Sequence, residues 1–151
     1  MKIVNGNLIT MVKRAELDVI VHGCNCFCTM GAGIAKQIKR EFPEAYKADL
    51  RTQKGDRNKL GSITFASFIR PDNSAFWIVN AYTQFSYGRN GVYVDYEALR
   101  ECFSTIKSVF RGKRIGYPLI GCSLAGGDWN IVSKIIDEEL EGEDHTLVVI
   151  K

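Results

Sequence analysis

Asp128 closes a run of glycines that suits an anion, and this makes it the carboxylate to examine first. The run reads Ile115-Gly116-Tyr117-Pro118-Leu119-Ile120-Gly121-Cys122-Ser123-Leu124-Ala125-Gly126-Gly127-Asp128-Trp129. It opens as an apolar strand, breaks into a glycine turn and resumes with the helical pattern of Trp129 to Leu140. A strand that empties through glycines into a helix N-terminus leaves backbone N–H groups unpaired and aimed at one spot. Amide donors and the positive end of the helix dipole both favour negative charge there, so the spot suits phosphate. Thr29-Met30-Gly31-Ala32-Gly33 has the same character, following one strand and preceding one helix. Two phosphate-cradling loops held side by side by one sheet are therefore expected. Asp128 itself reads as an ordinary N-cap, as a catalytic carboxylate beside a phosphate, or as both.

Other groups with chemistry sit at strand exits. His22-Gly23-Cys24-Asn25-Cys26-Phe27-Cys28 leaves the Val19 strand, and ligands of open α/β sheets bind beyond the carboxyl ends of strands. Asn25 offers an acceptor and donors to a ribose diol, or it only fixes a turn. On residue type alone, His22 reads as a core histidine bonded to backbone. Tyr82, Gln84, Phe85 and Tyr87 bring aromatic and amide groups that can cover a base or ribose. The alternation of Cys24, Cys26 and Cys28 does not match the spacing of a four-ligand zinc site, and nothing in the sequence marks one thiol as activated. The cysteines are read as small packing residues, and no metal or cofactor is expected. Lys36, Lys39 and Arg40 form a solvated helix face.

The elements that must position these groups alternate along the chain. Strands are expected at Met1 to Asn5, within Ala15 to Cys24, at Ile63 to Ile69, at Phe76 to Ala81, at Lys113 to Pro118 and at His145 to Ile150. Gly6-Asn7-Leu8 is a turn. Helices are expected at Gly33 to Phe42, at Pro43 to Thr52 with proline in the first turn, after the cap Asp95 with Leu99, Phe103, Ile106 and Phe110 as its stripe, and at Trp129 to Leu140. Gln53 to Leu60 reads as a polar surface loop and Thr83 to Val92 as a long functional one. This order predicts a three-layer α/β/α sandwich around a mostly parallel, mixed sheet, as one domain over 1–151.

Composition narrows the function classes. With 20 basic and 17 acidic side chains, the net charge of +3 is too small to argue for nucleic acid by itself. No apolar run approaches the roughly 20 residues that span a bilayer, and the N-terminus lacks a signal-peptide layout. Five cysteines, an odd number in a chain large enough to fold without bridges, favour reduced thiols and a cytoplasmic setting.

Taken together, these stretches resemble the macrodomain family, and within it the ADP-ribose 1″-phosphate phosphatase branch. The similarity runs from Gly6-Asn7-Leu8 to the last strand. It is carried by His22-Gly23-Cys24-Asn25, Met30-Gly31-Ala32-Gly33-Ile34-Ala35, Val79-Asn80-Ala81-Tyr82-Thr83-Gln84 and Ile120 to Trp129. The resemblance implies that Asn7 stands where macrodomains place an Asp against the adenine amino group, with Leu8 beside the base. It implies that Asn25 contacts the distal ribose. Gly31, Ala32, Gly33 and Ile34 then match the first diphosphate loop, and Gly121, Cys122, Ser123, Leu124, Ala125 and Gly126 the second. Tyr82 and Gln84 complete the implied ligand set. His22 and Asp128 match the pair linked to turnover in the phosphatase branch, His22 as proton donor to the departing sugar oxygen. Asp128 positions or deprotonates water, or attacks phosphorus directly. The implied partner is ADP-ribose or its 1″-phosphate, with ADP-ribosylated macromolecules as further partners, and the chain is expected to be monomeric. A non-catalytic reader and an ADP-ribosyl glycohydrolase are the alternatives. A related branch uses a lysine after the Phe76 to Ala81 strand and an aspartate in the second loop, where this chain has the Ala81-Tyr82 region and Ala125.

Overall fold

A β-branched run with no polar face has to lie inside a sheet, and Val19–Cys24 does: Val19, Ile20 and Val21 are at most 1% exposed. The computed structural model of the chain describes residues 1–88, 91–122 and 125–150. In order these give β1 (Lys2–Asn5), α1 (Leu8–Lys13), β2 (Val19–Cys24), α2 (Gly33–Glu41), α3 (Pro43–Leu50) and a 3₁₀ turn (Arg57–Lys59). They continue with β3 (Ile63–Ile69), β4 (Ala75–Tyr82), α4 (Tyr96–Val109), β5 (Ile115–Tyr117), α5 (Trp129–Glu139) and β6 (His145–Val149). The six strands among the described residues form one sheet in the order β1-β6-β5-β2-β4-β3. Every neighbouring pair is parallel except β3 with β4, so the sheet is mixed as expected.

Successive side chains of a strand point to opposite faces, and each face carries its own core. Ile20, Ile78 and Val148 pack with Leu8, Ile9, Val12, Ile38, Phe42 and Ala45 from α1, α2, α3 and the residue between the last two. Val19, Val21, Val79, Ile115 and Tyr117 pack with Leu99, Phe103 and Ile106 of α4 and Val132, Ile135 and Ile136 of α5. The expected stripe of α4, closed by Phe110, is buried throughout. Each such side chain contributes about 1.5–3 kcal/mol on leaving water. These two cores are the seams between the three layers.

Three local expectations change. The turn at Gly6-Asn7-Leu8 leads into α1, a helix of 6 residues, too short for its periodicity to announce it. Strand β4 runs on to Tyr82, because Tyr82 N–H donates to the Ser62 carbonyl and its own carbonyl accepts from Gly61 N–H. The polar stretch Gln53 to Leu60 contains the 3₁₀ turn, and Lys59 at its end is 6% exposed. Beyond β4, Gln84 pairs antiparallel with Val94, so the long connection folds back on itself.

Candidate functional site

Parallel strands empty at one rim. Strands β2 and β5 are parallel neighbours in the middle of the sheet, with Val19 opposite Ile115. The helix after β2 packs on one face and the helix after β5 on the other. That divergence opens a crevice between the two strand ends, the topological switch point at which α/β sheets take ligands. Both glycine loops leave from it, side by side as the sequence predicts.

The first loop is shaped by its own side chains. Asn25 Oδ1 accepts the Phe27 N–H at 2.8 Å, and Asn25 Nδ2 donates to Thr29 Oγ1 at 2.7 Å. Asn25 therefore does fix a turn, and it lies half-buried at the crevice. Cys28, Met30 and Gly33 have φ of 57°, 37° and 57°, the left-handed region that costs a residue with a Cβ about 1 kcal/mol. Met30 drops into the core, while Gly31, Ala32 and Gly33 stay exposed.

How the helices begin sets this loop apart. Asn7 accepts from Thr10 N–H at 3.0 Å, Asp95 from Ala98 N–H at 2.9 Å and Asp128 from Asn130 N–H at 2.9 Å, so α1, α4 and α5 are each closed by a side chain. Helices α2 and α3 lack a side-chain cap; α3 follows α2 directly through Phe42 and Pro43, whereas α2 starts from Ala32 in the glycine loop. The first-turn amides of α2 and the positive end of its dipole are left to whatever occupies the crevice.

The second loop closes on itself where Gly127 N–H donates to the Gly121 carbonyl at 2.7 Å. A Cβ on Gly127 would stand 2.5 Å from that carbonyl oxygen, and one on Gly126, whose φ is 71°, would strike the Gly91 carbonyl. Only glycine fits either position. Tyr93 N–H braces the loop from below through the Ala125 carbonyl at 2.7 Å. Cys122 is half-buried, and burial pushes its thiol up to about 11. Ser123 and Leu124, both expected here, lie outside the described residues. Asp128 stands exposed at the end of the loop, its amide donating to the Tyr96 hydroxyl at 3.0 Å.

Several expected site residues turn inward. Tyr82 is 0% exposed and donates to Asp49 Oδ1 at 2.7 Å, so its ring covers no ligand. The reason is the extra strand residue, which directs Tyr82 under the sheet. Leu8 is a core side chain at 5% exposure, while Asn7 and Gln84 remain at the surface or half-buried. His22 is 1% exposed. Its Nε2 lies 2.7 Å from Asn80 Oδ1, so the core histidine is bonded to a side chain and not to backbone. Asn80 Nδ2 donates to the Ala45 carbonyl and to Thr64 Oγ1, which makes Oδ1 the acceptor and puts the imidazole proton on Nε2. Burial pushes His22 down to about 4, against a smaller upward pull from Asn80. The ring is therefore neutral at pH 7 and enclosed.

Four polar residues of this interior received no role in the sequence reading: Asp49, Lys59, Thr64 and Asn80. The chain of hydrogen bonds runs His22, Asn80, Thr64, Tyr82, Asp49. Asn80 had a visible signal, an amide inside an apolar strand. Asp49 and Lys59 had none, since each lies in a polar stretch and is buried by tertiary contact alone.

The comparisons with known proteins agree with this geometry. A family model described as Macro domain matches residues 21–136. A 17.5 kDa protein of Enterobacteria phage T4, described as uncharacterized, is 36% identical over 142 residues, covering 90% of this chain and 87% of that protein. ADP-ribose glycohydrolase OARD1 of Bos taurus is 30% identical over 152 residues, covering 95% of this chain and 91% of that protein. An ADP-ribose 1″-phosphate phosphatase of Debaryomyces hansenii is 40% identical over 48 residues, covering 30% of this chain and 27% of that protein. Among solved structures, the macrodomain of Thermus aquaticus DarG aligns with a TM-score of 0.71 at 25% identity, over 99% of this chain and 97% of that one.

Proposed function

The chain belongs to the Macro domain family, and from that premise we propose that it binds ADP-ribose in the β2–β5 crevice and hydrolyses the phosphomonoester of ADP-ribose 1″-phosphate. The observation that carries this reading is the uncapped start of α2 beside a self-closed glycine loop that ends on an exposed carboxylate. In this reading, the α2 amides and the second loop hold the diphosphate and so orient the remote phosphate. Loop amides offset charge on its oxygens as water attacks. Asp128 keeps one oxygen on the Asn130 amide, and its other oxygen positions and deprotonates the water. The phosphorus–oxygen bond to the sugar breaks, and the departing oxygen takes a proton from solvent at the open rim. His22 acts indirectly, holding Asn80 and the exit of β2, because its neutral, enclosed ring is a poor donor to a ligand.

A second reading has its own support: the full-length relative named as a glycohydrolase, against a phosphatase likeness confined to 48 residues. Against it, the positions where a related branch has its lysine and aspartate hold the enclosed Ala81-Tyr82 and Ala125. The deciding experiment compares phosphate release from ADP-ribose 1″-phosphate with label release from ADP-ribosylated protein and nucleic acid. Phosphate release lost in Asp128→Asn supports the first reading. Label release without phosphate release replaces it with the second, and ADP-ribose binding without either leaves a reader.

A further inference from the structure

The two edges of the sheet are unlike. Strand β1 at one edge has 4 residues and carries Lys2, a charge of the kind that keeps a bare edge from pairing. Strand β3 at the other has 7 residues, Ile63-Thr64-Phe65-Ala66-Ser67-Phe68-Ile69, with no charge, no proline and no glycine. Bonds just beyond its two ends fix its pattern: Tyr82 N–H donates to the Ser62 carbonyl, and Arg70 N–H donates to the Ser74 carbonyl. Residues of an antiparallel pair bond to their neighbour alternately, so Thr64, Ala66 and Phe68 direct their amides and carbonyls to β4. Those of Ile63, Phe65, Ser67 and Ile69 face away from β4 and have no partner among the described residues. The side chains of these four share one face, on which Phe65 is 43% exposed and Ile69 66%. Phe65 meets Phe110 with 5.3 Å between ring centres, and Val109, next to Phe110 in the chain, is exposed as well. The apolar surface therefore continues from the strand onto the end of α4.

An open row of this kind takes a further strand, and the order of residues in β3 selects its own copy. Read outwards from Ala66, Ile63 mirrors Ile69, Phe65 mirrors Ser67 and Thr64 mirrors Phe68. We propose that two copies of this chain join through β3, antiparallel about a twofold axis at Ala66, and continue one sheet across both. This register sets Ile63 against Ile69 of the partner subunit and Phe65 against Ser67 of the partner subunit. Those are the residues with outward amides and carbonyls, so each of these groups gains a hydrogen bond. Aliphatic side chains meet at both ends of the seam, and no like charges oppose each other. A shift of one residue would oppose outward-facing residues to inward-facing ones, and a shift of two would leave one end unpaired. The two copies of β3 run in opposite directions, so the two β2–β5 crevices open at opposite rims. Neither copy lends a residue to the other's crevice.

Analytical ultracentrifugation over a range of protein concentrations tests the association, and a monomer–dimer equilibrium is expected. Ser67→Lys and Ser67→Pro alter a residue whose amide and side chain face away from β4 and α3, so the β3–β4 ladder is kept. Each is expected to weaken the dimer at least about tenfold while the urea midpoint stays near that of the unaltered protein. Ile3→Lys, on an exposed residue of the opposite edge, is expected to leave the dimer intact. Should Ser67→Pro fail to fold, Ser67→Lys decides. A chain that stays monomeric at every concentration overturns the proposal. So does dissociation by Ile3→Lys with both Ser67 variants still associated. Cross-linking reads the register. The two Ala66 Cα atoms would stand about 4.5 Å apart, within reach of a disulfide, whereas the two Ile69 Cα atoms would be about 20 Å apart. Under mild oxidation Ala66→Cys is expected to link to its own copy at residue 66, located by peptide mapping, and Ile69→Cys is expected not to link at residue 69. Linkage at Ile69→Cys as readily as at Ala66→Cys overturns the twofold at Ala66.

Discussion

Replacing Asp128 by Asn keeps an oxygen able to accept the Asn130 amide and removes the negative charge, whereas Asp128→Ala removes both. Asp128→Ala is therefore expected to lower stability by about 1 kcal/mol and to abolish phosphate release, with ADP-ribose binding largely kept. Asp128→Asn is expected to leave the denaturation midpoint within experimental error while hydrolysis is still lost. A variant of either kind that turns over normally reduces Asp128 to a helix cap. His22 makes a second prediction, in pH. Its folded value of about 4 lies below the unfolded 6.5, so the unfolded chain binds the extra proton between those values. The neutral-ring contribution is complete above 6.5 and is lost as pH falls towards 4, on the order of 3 kcal/mol in total. Urea midpoints at pH 7 and pH 5 should separate in the wild type and draw together in His22→Gln. An unchanged separation would mean that other groups, such as His145, which burial also pushes down, carry the effect.

Among the elements, α2 is the one whose terminus the proposed ADP-ribose site uses. Installing the missing cap with Ala32→Asp should stabilise the fold by about 1 kcal/mol and weaken ADP-ribose binding, because the new carboxylate takes the amides and repels the diphosphate. Thermal unfolding and calorimetry on one variant read both signs. Stronger binding in Ala32→Asp would remove α2 from the site. In the second loop, Gly126→Ala should cost both stability and binding, since its Cβ meets backbone that cannot swing aside. The elements were also where the sequence was most legible. The β-branched Val19–Val21 run, the Leu99 to Phe110 stripe and the glycines flanked by strand and helix each carry their own local cause, and all appear in the structure. Tyr82 and Lys59 were illegible for the opposite reason. Whether a Tyr at a strand end faces solvent depends on one more residue of pairing, and whether a Lys in a polar stretch is withdrawn depends on segments far away in the chain.

For the whole molecule, a ligand that binds only the folded chain must raise its stability by mass action. ADP-ribose at a hundredfold excess over its dissociation constant is expected to add about 2.7 kcal/mol. For a chain of this size that is a melting shift of about 5–10 °C. No shift at millimolar ADP-ribose would remove the premise of the proposed function. The sheet that builds the crevice also carries a record of its own alignment. His22 of β2 faces Asn80 of β4, and Asn80 faces Thr64 of β3, so one polar rung crosses a parallel and an antiparallel seam. Sliding either seam by a single residue would strand an imidazole, an amide or a hydroxyl among hydrocarbon and turn a whole row of side chains to the wrong face. Misaligned sheets are thereby penalised twice over, and the mouth where both glycine bends open is aligned by chemistry lying a layer deeper than any group that meets solvent.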